Sequence, residues 1–583
     1  MVKIFRVHGD NIIECERIVD YLFAGIDVIV ISREFVSLSC ICVNVVFGFN
    51  SVEHRWKIEM FPGFNKANRR RWKGDIFDSL RDNGGFLDET PDALVTQINN
   101  DKETILFAVE FCSALQAGNQ AWQRSGRAYS VGRSGCPYIY IVDFVKYELD
   151  STTRERKALR FPNAAVPYSF ISFSKYTANF VVQSYVRAEE FQPSYDSKLA
   201  NFDESIFAEK DLAEYMLLKM LNMNTSEIEM RILDKNSKMV EWLSTGNNKK
   251  RSFDNNDWKS IYETKATSIT HSLDENRFKF SKSIAAKSIT GKNREFTELV
   301  KLNSVGYASV DLPFGLIPAD KRQDFAIGLS KLYPVDDELF KKIAKPESTL
   351  VICMVKGFKP RGDDNRPDRG ILPLIAMLSS ENTEVVTFIY GPIIKSNYKL
   401  LVESPTELAR RNGFWRVFMS LSDYFVVDAP LLDKSKNSLE QIEQVIDNQE
   451  TKKSYIAQKP QGDFSREPIS TTSNSYHEDD VDTVIHAIFK HIIDKGCFEG
   501  MCNPPGGDWS GLSVILNNTE YRWLSLPRVS PDCKRPDHLI ELFDVQNKPI
   551  LLVVESKDRK QDLESDIGLQ LKGYLDFLFS FRA

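Results

Sequence analysis

The sequence predicts a multi-domain protein of the mixed α/β (α+β) class, and three observations support this prediction. The chain has 583 residues, enough for about three to four domains at roughly 150 residues each. Hydrophobic residues make up 42% of the chain and charged residues 27%, which is the composition of an ordinary globular protein. Runs of β-branched residues stand beside segments with helical periodicity, so both kinds of element are expected. A disordered, collagen-like or disulfide-stapled chain is thereby excluded.

The charge balance and the absence of sorting signals indicate which partners and which cellular compartment to expect. Lys and Arg number 75 against 81 Asp and Glu, a net charge of −6, so contact with a polyanion requires a local basic patch. The nine cysteines are scattered without a CxxC pair, and the N-terminus lacks the apolar core of a signal peptide. The most apolar stretch, residues 35–49, is shorter than the roughly twenty residues that a membrane helix needs. We therefore expect a cytoplasmic protein with no membrane partner.

Residues 1–200 are predicted to form an N-terminal α/β domain. Apolar side chains recur at helical spacing between Ile12 and Leu22, just after the capping signal at residues 8–10. Runs rich in β-branched residues predict four strands, over residues 27–32, 35–49, 105–110 and 138–144.

A basic cluster interrupts this domain and is a candidate contact for DNA. Arg69, Arg70, Arg71 and Lys73 surround Trp72. Basic side chains of this kind contact phosphates, and a tryptophan can stack on a base. The alternative interpretation is a charged face that only meets solvent.

Composition divides the rest of the chain into four segments. Residues 201–345 are mainly helical and polar, and are a candidate region for DNA recognition. Residues 346–435 contain strand-like runs such as VICMV and YFVVDAP, and are predicted to be α/β. Residues 436–475 are polar with Pro, Gly and Ser, which predicts a linker. Residues 476–583 are predicted to form a separate C-terminal domain.

Three residues of the C-terminal segment form a constellation suited to phosphodiester hydrolysis. Glu555 lies 18 positions after Asp537 and, with Lys557, follows the apolar run ILLVV. This run predicts a buried strand with both faces covered. Residues two apart on a strand point to the same side, so Glu555 and Lys557 should project together. A hairpin turning at QNKP should return Asp537 beside them. Two carboxylates can hold Mg²⁺, and the lysine can orient a water or stabilise the pentavalent phosphorus.

Pro536-Asp537 followed by Glu555-Ser556-Lys557 resembles the PD-(D/E)xK nuclease superfamily, which includes most type II restriction endonucleases. The resemblance covers residues 476–583 and implies a restriction-endonuclease-like core. It also implies a Mg²⁺ cofactor held by the Asp and the Glu. The alternative is a surface hairpin with ordinary charged ends.

A second motif in this region strengthens the resemblance. Gln570 and Tyr574 lie four residues apart, on one face of a predicted helix. They resemble the QxxxY element that some of these nucleases carry, which implies a catalytic role for Gln570.

The N-terminal domain carries a second copy of the motif. PDALVTQINNDKETILFAVEFC aligns without a gap to PDHLIELFDVQNKPILLVVESK, so Asp92 and Glu110 also lie 18 positions apart. These two residues are predicted as further metal ligands and catalytic residues. Cys112 stands where Lys557 stands in the other copy, and a thiol does not replace an ammonium.

A second active site therefore needs another cation, for which Arg124 and Arg127 are candidates. Both arginines are also predicted to contact DNA. In the superfamily an acidic residue from an early helix can join the metal site, and Glu14 or Glu16 could serve here. Three interpretations stay open: an active second nuclease, a degenerate DNA-binding copy, and coincidence.

The sequence thus predicts a Mg²⁺-dependent endonuclease of double-stranded DNA that resembles sequence-specific type II restriction enzymes. No GxxxxGK[ST] motif is present, so no nucleotide cofactor is expected. A homodimer is expected if only one site is active, and a cognate DNA methyltransferase should exist as a separate protein. The alternatives are a phage-defence or repair nuclease without strict sequence specificity, and a noncatalytic DNA-binding protein with a nuclease-like fold.

Overall fold

A computed structural model describes most of residues 2–580. Within that range it leaves out residues 38–39, 64–71, 74, 86–89, 113–123, 145–158, 160, 162–164, 190, 200, 246–290, 305, 309–313, 356–382, 412, 434, 436, 457–461, 463, 472–477, 494–495, 504–509, 527–534 and 558–566. Helices flank a nine-stranded, a seven-stranded and a five-stranded sheet. The prediction of a mixed α/β, multi-domain chain is thereby confirmed.

The nine-stranded sheet belongs to an N-terminal unit. The strands of this unit are β1 (Lys3–Gly9), β2 (Val28–Ser37), β3 (Cys40–Phe49), β4 (Val52–Pro62), β5 (Trp72–Lys73), β6 (Ala93–Asn99), β7 (Lys102–Cys112), β8 (Tyr138–Phe144) and β9 (Val181–Arg187). Its helices are α1 (Ile12–Leu22), α2 (Asp78–Asp82), α3 (Ser125–Arg133), α4 (Ala165–Thr177), α5 (Glu209–Leu221) and α6 (Ser226–Thr245). Eight strands of the sheet lie in the order β2-β3-β4-β1-β6-β7-β8-β9, and residues 465–466 form the ninth by pairing with β7, whereas β5 lies outside this sheet. Strands β7, β8 and β9 run parallel to one another.

Alternation along the strands separates two apolar cores, one on each face of this sheet. In β8, Tyr138 and Tyr140 face the core that α3 and α4 complete, whereas Ile139 and Ile141 face the core of α1 and α5. The predicted single strand over residues 35–49 is wrong, because residues 35–37 end β2 and residues 40–49 form β3, which pairs with it antiparallel. The run lacks Gly, Pro, Asn and Asp before Asn44, so its composition gives no turn signal.

The seven-stranded sheet forms a middle unit. Its strands are β10 (Gly306–Ala308), β11 (Phe314–Ile317), β12 (Thr349–Val355), β13 (Thr383–Ile389), β14 (Ile393–Ile394), β15 (Tyr424–Leu432) and β16 (Ser438–Asp447). Its helices are α7 (Lys292–Asn303), α8 (Arg322–Leu332), α9 (Asp337–Ile343), α10 (Lys395–Glu403), α11 (Pro405–Arg411), α12 (Gly413–Leu421) and α13 (Gln449–Ile456). Strands β12, β13 and β15 run parallel and are largely buried, as expected for a sheet covered on both faces.

The segment predicted as a linker, residues 436–475, instead contributes strands to several sheets. Strand β16 pairs with β15, while β17 (Ser465–Arg466) pairs with β7 and β18 (Ser470–Thr471) pairs with β5. The fully buried carboxylate of Glu103 accepts a hydrogen bond from the backbone N–H of Ile469 at 2.9 Å. Because β16 lies at a sheet edge with most side chains in solvent, its polar sequence resembles that of a linker.

The five-stranded sheet forms the C-terminal unit. Its elements are α14 (Glu478–Ile492), β19 (Cys497–Asn503), β20 (Ser510–Leu516), β21 (Thr519–Ser525), β22 (His538–Phe543), β23 (Pro549–Val554) and α15 (Ile567–Ser580). The order is β21-β20-β19-β22-β23, with antiparallel neighbours throughout. None of the described helices is both long enough and apolar enough to cross a membrane.

The prediction that the ILLVV run is buried on both faces is wrong for the described part of the chain. Strand β23 lies at the edge of its sheet, and Ile550 and Leu551 are 46% and 43% exposed. An apolar run reports that a strand is present, but it does not distinguish a central strand from an edge strand.

Helices α1 and α14 connect the N-terminal and C-terminal units through a buried ionic cluster. Glu16 of α1 accepts hydrogen bonds from His486 at 2.9 Å and from Lys490 at 2.8 Å, both on α14. The side chains of Glu16 and His486 are 5% and 0% exposed. The same two helices supply acidic side chains to the two sites described next.

Candidate active site

The N-terminal hairpin brings Asp92 and Glu110 together as the sequence predicts. Asp92 immediately precedes β6, and Glu110 lies near the end of β7, its antiparallel partner. Ala93 pairs with Val109 in the register, so the two acids are neighbours across the hairpin. The backbone N–H of Phe111 donates a hydrogen bond of 2.8 Å to Asp92 Oδ2. Burial raises the pKa of Asp92 to about 7, and the nearby Glu110 carboxylate adds to the rise.

Helix α1 adds a third acid to this pair. Asn11 caps the helix, with its side chain accepting a hydrogen bond of 3.0 Å from the backbone N–H of Glu14. Burial, followed by the charges of Asp92, Asp10 and Glu110, raises the pKa of Glu14 well above its usual range. Of the two residues proposed for this role, Glu14 faces the acid pair, whereas Glu16 pairs with α14.

Two arginines at the start of α3 supply positive charge where the sequence lacks a lysine. Arg127 Nη1 lies 2.5 Å from Glu110 Oε1 and 3.7 Å from Asp92 Oδ1. Arg124 also forms an ion pair with Glu110 Oε1. Both candidate cations are therefore at the acid pair, and Cys112 lies two residues beyond Glu110 at the end of β7.

The C-terminal hairpin repeats this arrangement around Asp537 and Glu555. Asp537 precedes β22, and Glu555 follows the last residue of β23. The backbone N–H of Ser556 donates a hydrogen bond of 2.7 Å to Asp537 Oδ2. Lys557 Nζ lies 3.1 Å from Glu555 Oε1, as the two-residue spacing predicts. Burial raises the pKa of Asp537 to about 7, and the charges of Asp482 and Glu555 add to the rise.

The two hairpins share one specific hydrogen bond. In each, the residue after the Glu donates its backbone N–H to the side chain of the Asp that lies 19 positions earlier. This bond fixes the two carboxyl groups beside each other. The gapless sequence match thus corresponds to a matching local geometry, and coincidence is a poor explanation of it.

Gln570 and Tyr574 on α15 also reach the C-terminal acid pair. Gln570 Nε2 donates a hydrogen bond of 2.9 Å to Glu555 Oε1 and one of 2.8 Å to the hydroxyl of Tyr574. That hydroxyl in turn donates to the carbonyl oxygen of Arg535 at 3.0 Å. The spacing of four residues places both side chains on one helix face, and together they orient the Glu555 carboxylate.

Two further residues, Glu478 and Asp482, lie at this site although the sequence did not single them out. Glu478 Oε1 accepts a hydrogen bond of 2.9 Å from Lys557 Nζ, and Asp482 Oδ1 lies 2.9 Å from the buried His538 Nε2. Glu478 and Asp482 are four residues apart and so share one face of α14. That spacing, in the first turns of the helix, was the available signal.

The basic cluster of residues 69–73 cannot be placed at either site. Arg69, Arg70 and Arg71 lie outside the described residues, and so does the side chain of Lys73, whose backbone forms β5. Its predicted contact with DNA stays a prediction.

The carboxylate oxygens of both sites are of the kind that Mg²⁺ prefers, although the described residues form no ready-made cage. Among the described residues, no group of three or more His, Cys, Asp or Glu side chains is arranged to hold a metal ion. Mg²⁺, however, is usually bound by one or two carboxylates and keeps several waters. Oε2 atoms of Glu14, Glu110 and Glu555 are buried without a hydrogen-bond partner in the described part of the chain. Such buried, unpartnered carboxylate oxygens are suitable donors for a hard cation.

No protein-family model, no curated protein and no solved structure matches this chain.

Proposed function

We propose that the protein is a Mg²⁺-dependent endonuclease that hydrolyses phosphodiester bonds of double-stranded DNA, with one candidate site in each terminal unit. The observation that carries the proposal is the repeated Asp–Glu pair, held in both hairpins by the same backbone hydrogen bond. A chance pair of surface acids would not be expected to occur twice with one offset and one bonding pattern.

In the C-terminal unit, the side chains of the proposed site have separate roles in hydrolysis. Asp537 and Glu555 are the residues that would hold Mg²⁺, which supplies electrostatic stabilisation of the charge that develops on the phosphate oxygens. Lys557 orients the attacking water or stabilises the pentavalent phosphorus. Gln570 and Tyr574 fix the orientation of Glu555, since one hydrogen-bond chain connects all three.

In the N-terminal unit, arginines take the position of the lysine. Asp92 and Glu110, with Glu14 beside them, are the residues that would hold the cation. Arg124 and Arg127 contact Glu110, and a guanidinium can stabilise a phosphorane as a lysine does. An arginine stays protonated near neutral pH and cannot act as a base.

Supercoiled plasmid DNA with Mg²⁺ tests the proposal. We expect discrete bands from a type II restriction enzyme that reads a defined sequence, which also implies a separate protective DNA methyltransferase. A smear would indicate a defence or repair nuclease without strict specificity. Intact plasmid, together with DNA retention in a binding assay, would leave the noncatalytic DNA-binding alternative.

A matched pair of variants separates this site from general damage to the hairpin. Glu555→Gln removes a proposed ligand at almost constant volume and should abolish cleavage of at least one strand. Glu541→Gln makes the same change on β22 of the same hairpin, opposite Leu551, and should leave cleavage unchanged. Cleavage of both strands at the wild-type rate by Glu555→Gln would refute the assignment.

A further inference from the structure

The two sites hold their cationic side chains in different ways. In the N-terminal site, Arg124 and Arg127 both pair with the same atom, Glu110 Oε1. In the C-terminal site, Lys557 Nζ is shared between Glu555 at 3.1 Å and Glu478 at 2.9 Å. In the first site, one carboxylate therefore pairs with two guanidinium groups. In the second site, one ammonium group pairs with two carboxylates.

This difference affects how readily each site can accept a divalent cation. Ion-paired hydrogen bonds between a guanidinium and a carboxylate are among the stronger ones in proteins. A divalent cation at Glu110 must compete with both arginines, and in a buried site it is repelled by their charges. The Glu110 side chain is 0% exposed, so solvent screens this repulsion poorly. Its Oε2 nevertheless has no hydrogen-bond partner among the described residues, so a donor atom is available once the repulsion is relieved.

A phosphate group can relieve this repulsion between the divalent cation and the two arginines. The planar fork of an arginine matches two phosphate oxygens as well as it matches a carboxylate. Mg²⁺ is commonly bound by one or two carboxylates together with substrate phosphates. A phosphodiester next to Glu110 would draw the arginines away from the carboxylate and provide ligands of its own.

Building on the proposed function, we propose that the N-terminal site binds a divalent cation only together with a phosphodiester that engages Arg124 and Arg127. The C-terminal site binds the cation without DNA. The arginines thereby make metal binding in one of the two sites conditional on substrate.

Mn²⁺ titration of the full chain, followed by the electron paramagnetic resonance signal of free Mn²⁺, tests this without using activity. The wild type should bind one Mn²⁺ in the absence of DNA, and Glu555→Gln should remove it. The double variant Arg124→Gln/Arg127→Gln should gain a second Mn²⁺, bound at least about tenfold more tightly than any second ion in the wild type, a difference of about 1.4 kcal/mol. Adding Glu110→Gln to that variant should abolish the gain. Arg133→Gln on the same helix, whose guanidinium faces the Tyr129 hydroxyl, should still bind one.

A second measurement keeps Arg124 and Arg127 in place, so it tests the inference even if the double variant misfolds. With mixed-sequence duplex DNA present, the wild type should bind more Mn²⁺ than Glu110→Gln does. Comparing the two proteins at the same DNA concentration subtracts the ions that bind to the DNA itself. Two equal Mn²⁺ sites without DNA would overturn this inference and leave the proposed function intact. A folded double variant that still binds one ion would overturn it in the same way. No Mn²⁺ bound by the wild type, with or without DNA, would contradict the proposed function as well.

Discussion

Replacing Glu16 with alanine should weaken the contact between the N-terminal and C-terminal units. The Glu16 carboxylate accepts hydrogen bonds from His486 and Lys490, and lies 3.7 Å from His491. Although burial by itself raises the pKa of Glu16, the charges of Lys490 and His486 outweigh it and hold that pKa well below its usual range. The alanine variant therefore leaves Lys490, whose side chain is only 12% exposed, with Glu520 as its remaining ion-pair partner at 3.2 Å in the described part of the chain.

The size of the destabilisation follows from the burial of the ion pair. Removing one partner of a buried ion pair costs about 3–5 kcal/mol when the other charge is left buried without compensation. Because Lys490 keeps its pair with Glu520 at 3.2 Å, we expect a cost near the lower end of this range. The exposed pair of Glu53 and Arg55 provides the contrast: it has a similar distance of 2.9 Å, but both side chains are about 60% exposed. Pairs of this kind contribute less than about 1 kcal/mol. Glu16→Ala should thus cost several times more than Glu53→Ala.

Hydrogen exchange of the backbone amides in α1 and α14 is the appropriate assay, because a chain of several units need not unfold in one step. At neutral pH, Glu16→Ala should speed exchange in both helices by about a hundredfold or more, and Glu53→Ala should have little effect there. A carboxylate with a lowered pKa stabilises the folded state fully above its unfolded pKa, and this contribution is lost as the pH falls through the folded value. The difference between wild type and Glu16→Ala should therefore shrink below pH 4.5, the usual pKa of Glu. Equal exchange in the two variants at neutral pH would refute the reasoning.

Three further predictions concern the sites. Lys557→Ala should abolish cleavage of one strand of a plasmid while retaining DNA binding in a gel-shift assay with Ca²⁺; normal cutting of both strands would argue against its role. Glu110→Ala should convert the enzyme to a nickase, and Glu555→Ala should nick the opposite strand, as strand-specific end labelling would reveal; clean double-strand breaks by folded Glu110→Ala would show that only the C-terminal site cuts. Because Asp92 and Asp537 both have a pKa of about 7, they are protonated below it and then bind cations poorly. Cleavage and Mn²⁺ binding should therefore rise with pH through about 7 and level off above it, and a flat profile between pH 6 and pH 8 would contradict this.

The local geometry of both sites could be predicted because short-range rules determine it. An 18-residue offset spanning two apolar runs and a turn leaves little choice but a hairpin, and the hairpin places Asp beside Glu. The QxxxY spacing fixes a helix face in the same way. The helix after residue 10 was also predictable, since its apolar side chains recur at helical spacing, but its cap is Asn11 and not one of the predicted residues 8–10.

What the sequence could not indicate depends on contacts between distant segments. The edge position of β23 is set by which strands lie beside it, and nothing within its own residues reports this. The docking of residues 465–471 on the N-terminal unit depends on the buried Glu103, more than 360 positions away from the backbone N–H of Ile469 that it binds. Glu478 and Asp482 were missed for a related reason: acids at a helix start usually cap the helix, and only the fold shows that they face Lys557 and His538.

The arrangement of α1 and α14 bears on why one chain would contain the two proposed sites. In α1, Glu14 faces the N-terminal acid pair and Glu16, two residues later, binds α14. In α14, Asp482 lies at the C-terminal site and His486, one turn later, binds Glu16. The ionic contact between the units is therefore at most one helical turn from an acid of each site. Because the contact is buried and charged, breaking it by removing one partner is costly. If both proposed sites cut DNA, this short connection through helices would keep them at one separation, which is the condition for cutting the two strands of one duplex at a constant offset without a second copy of the chain.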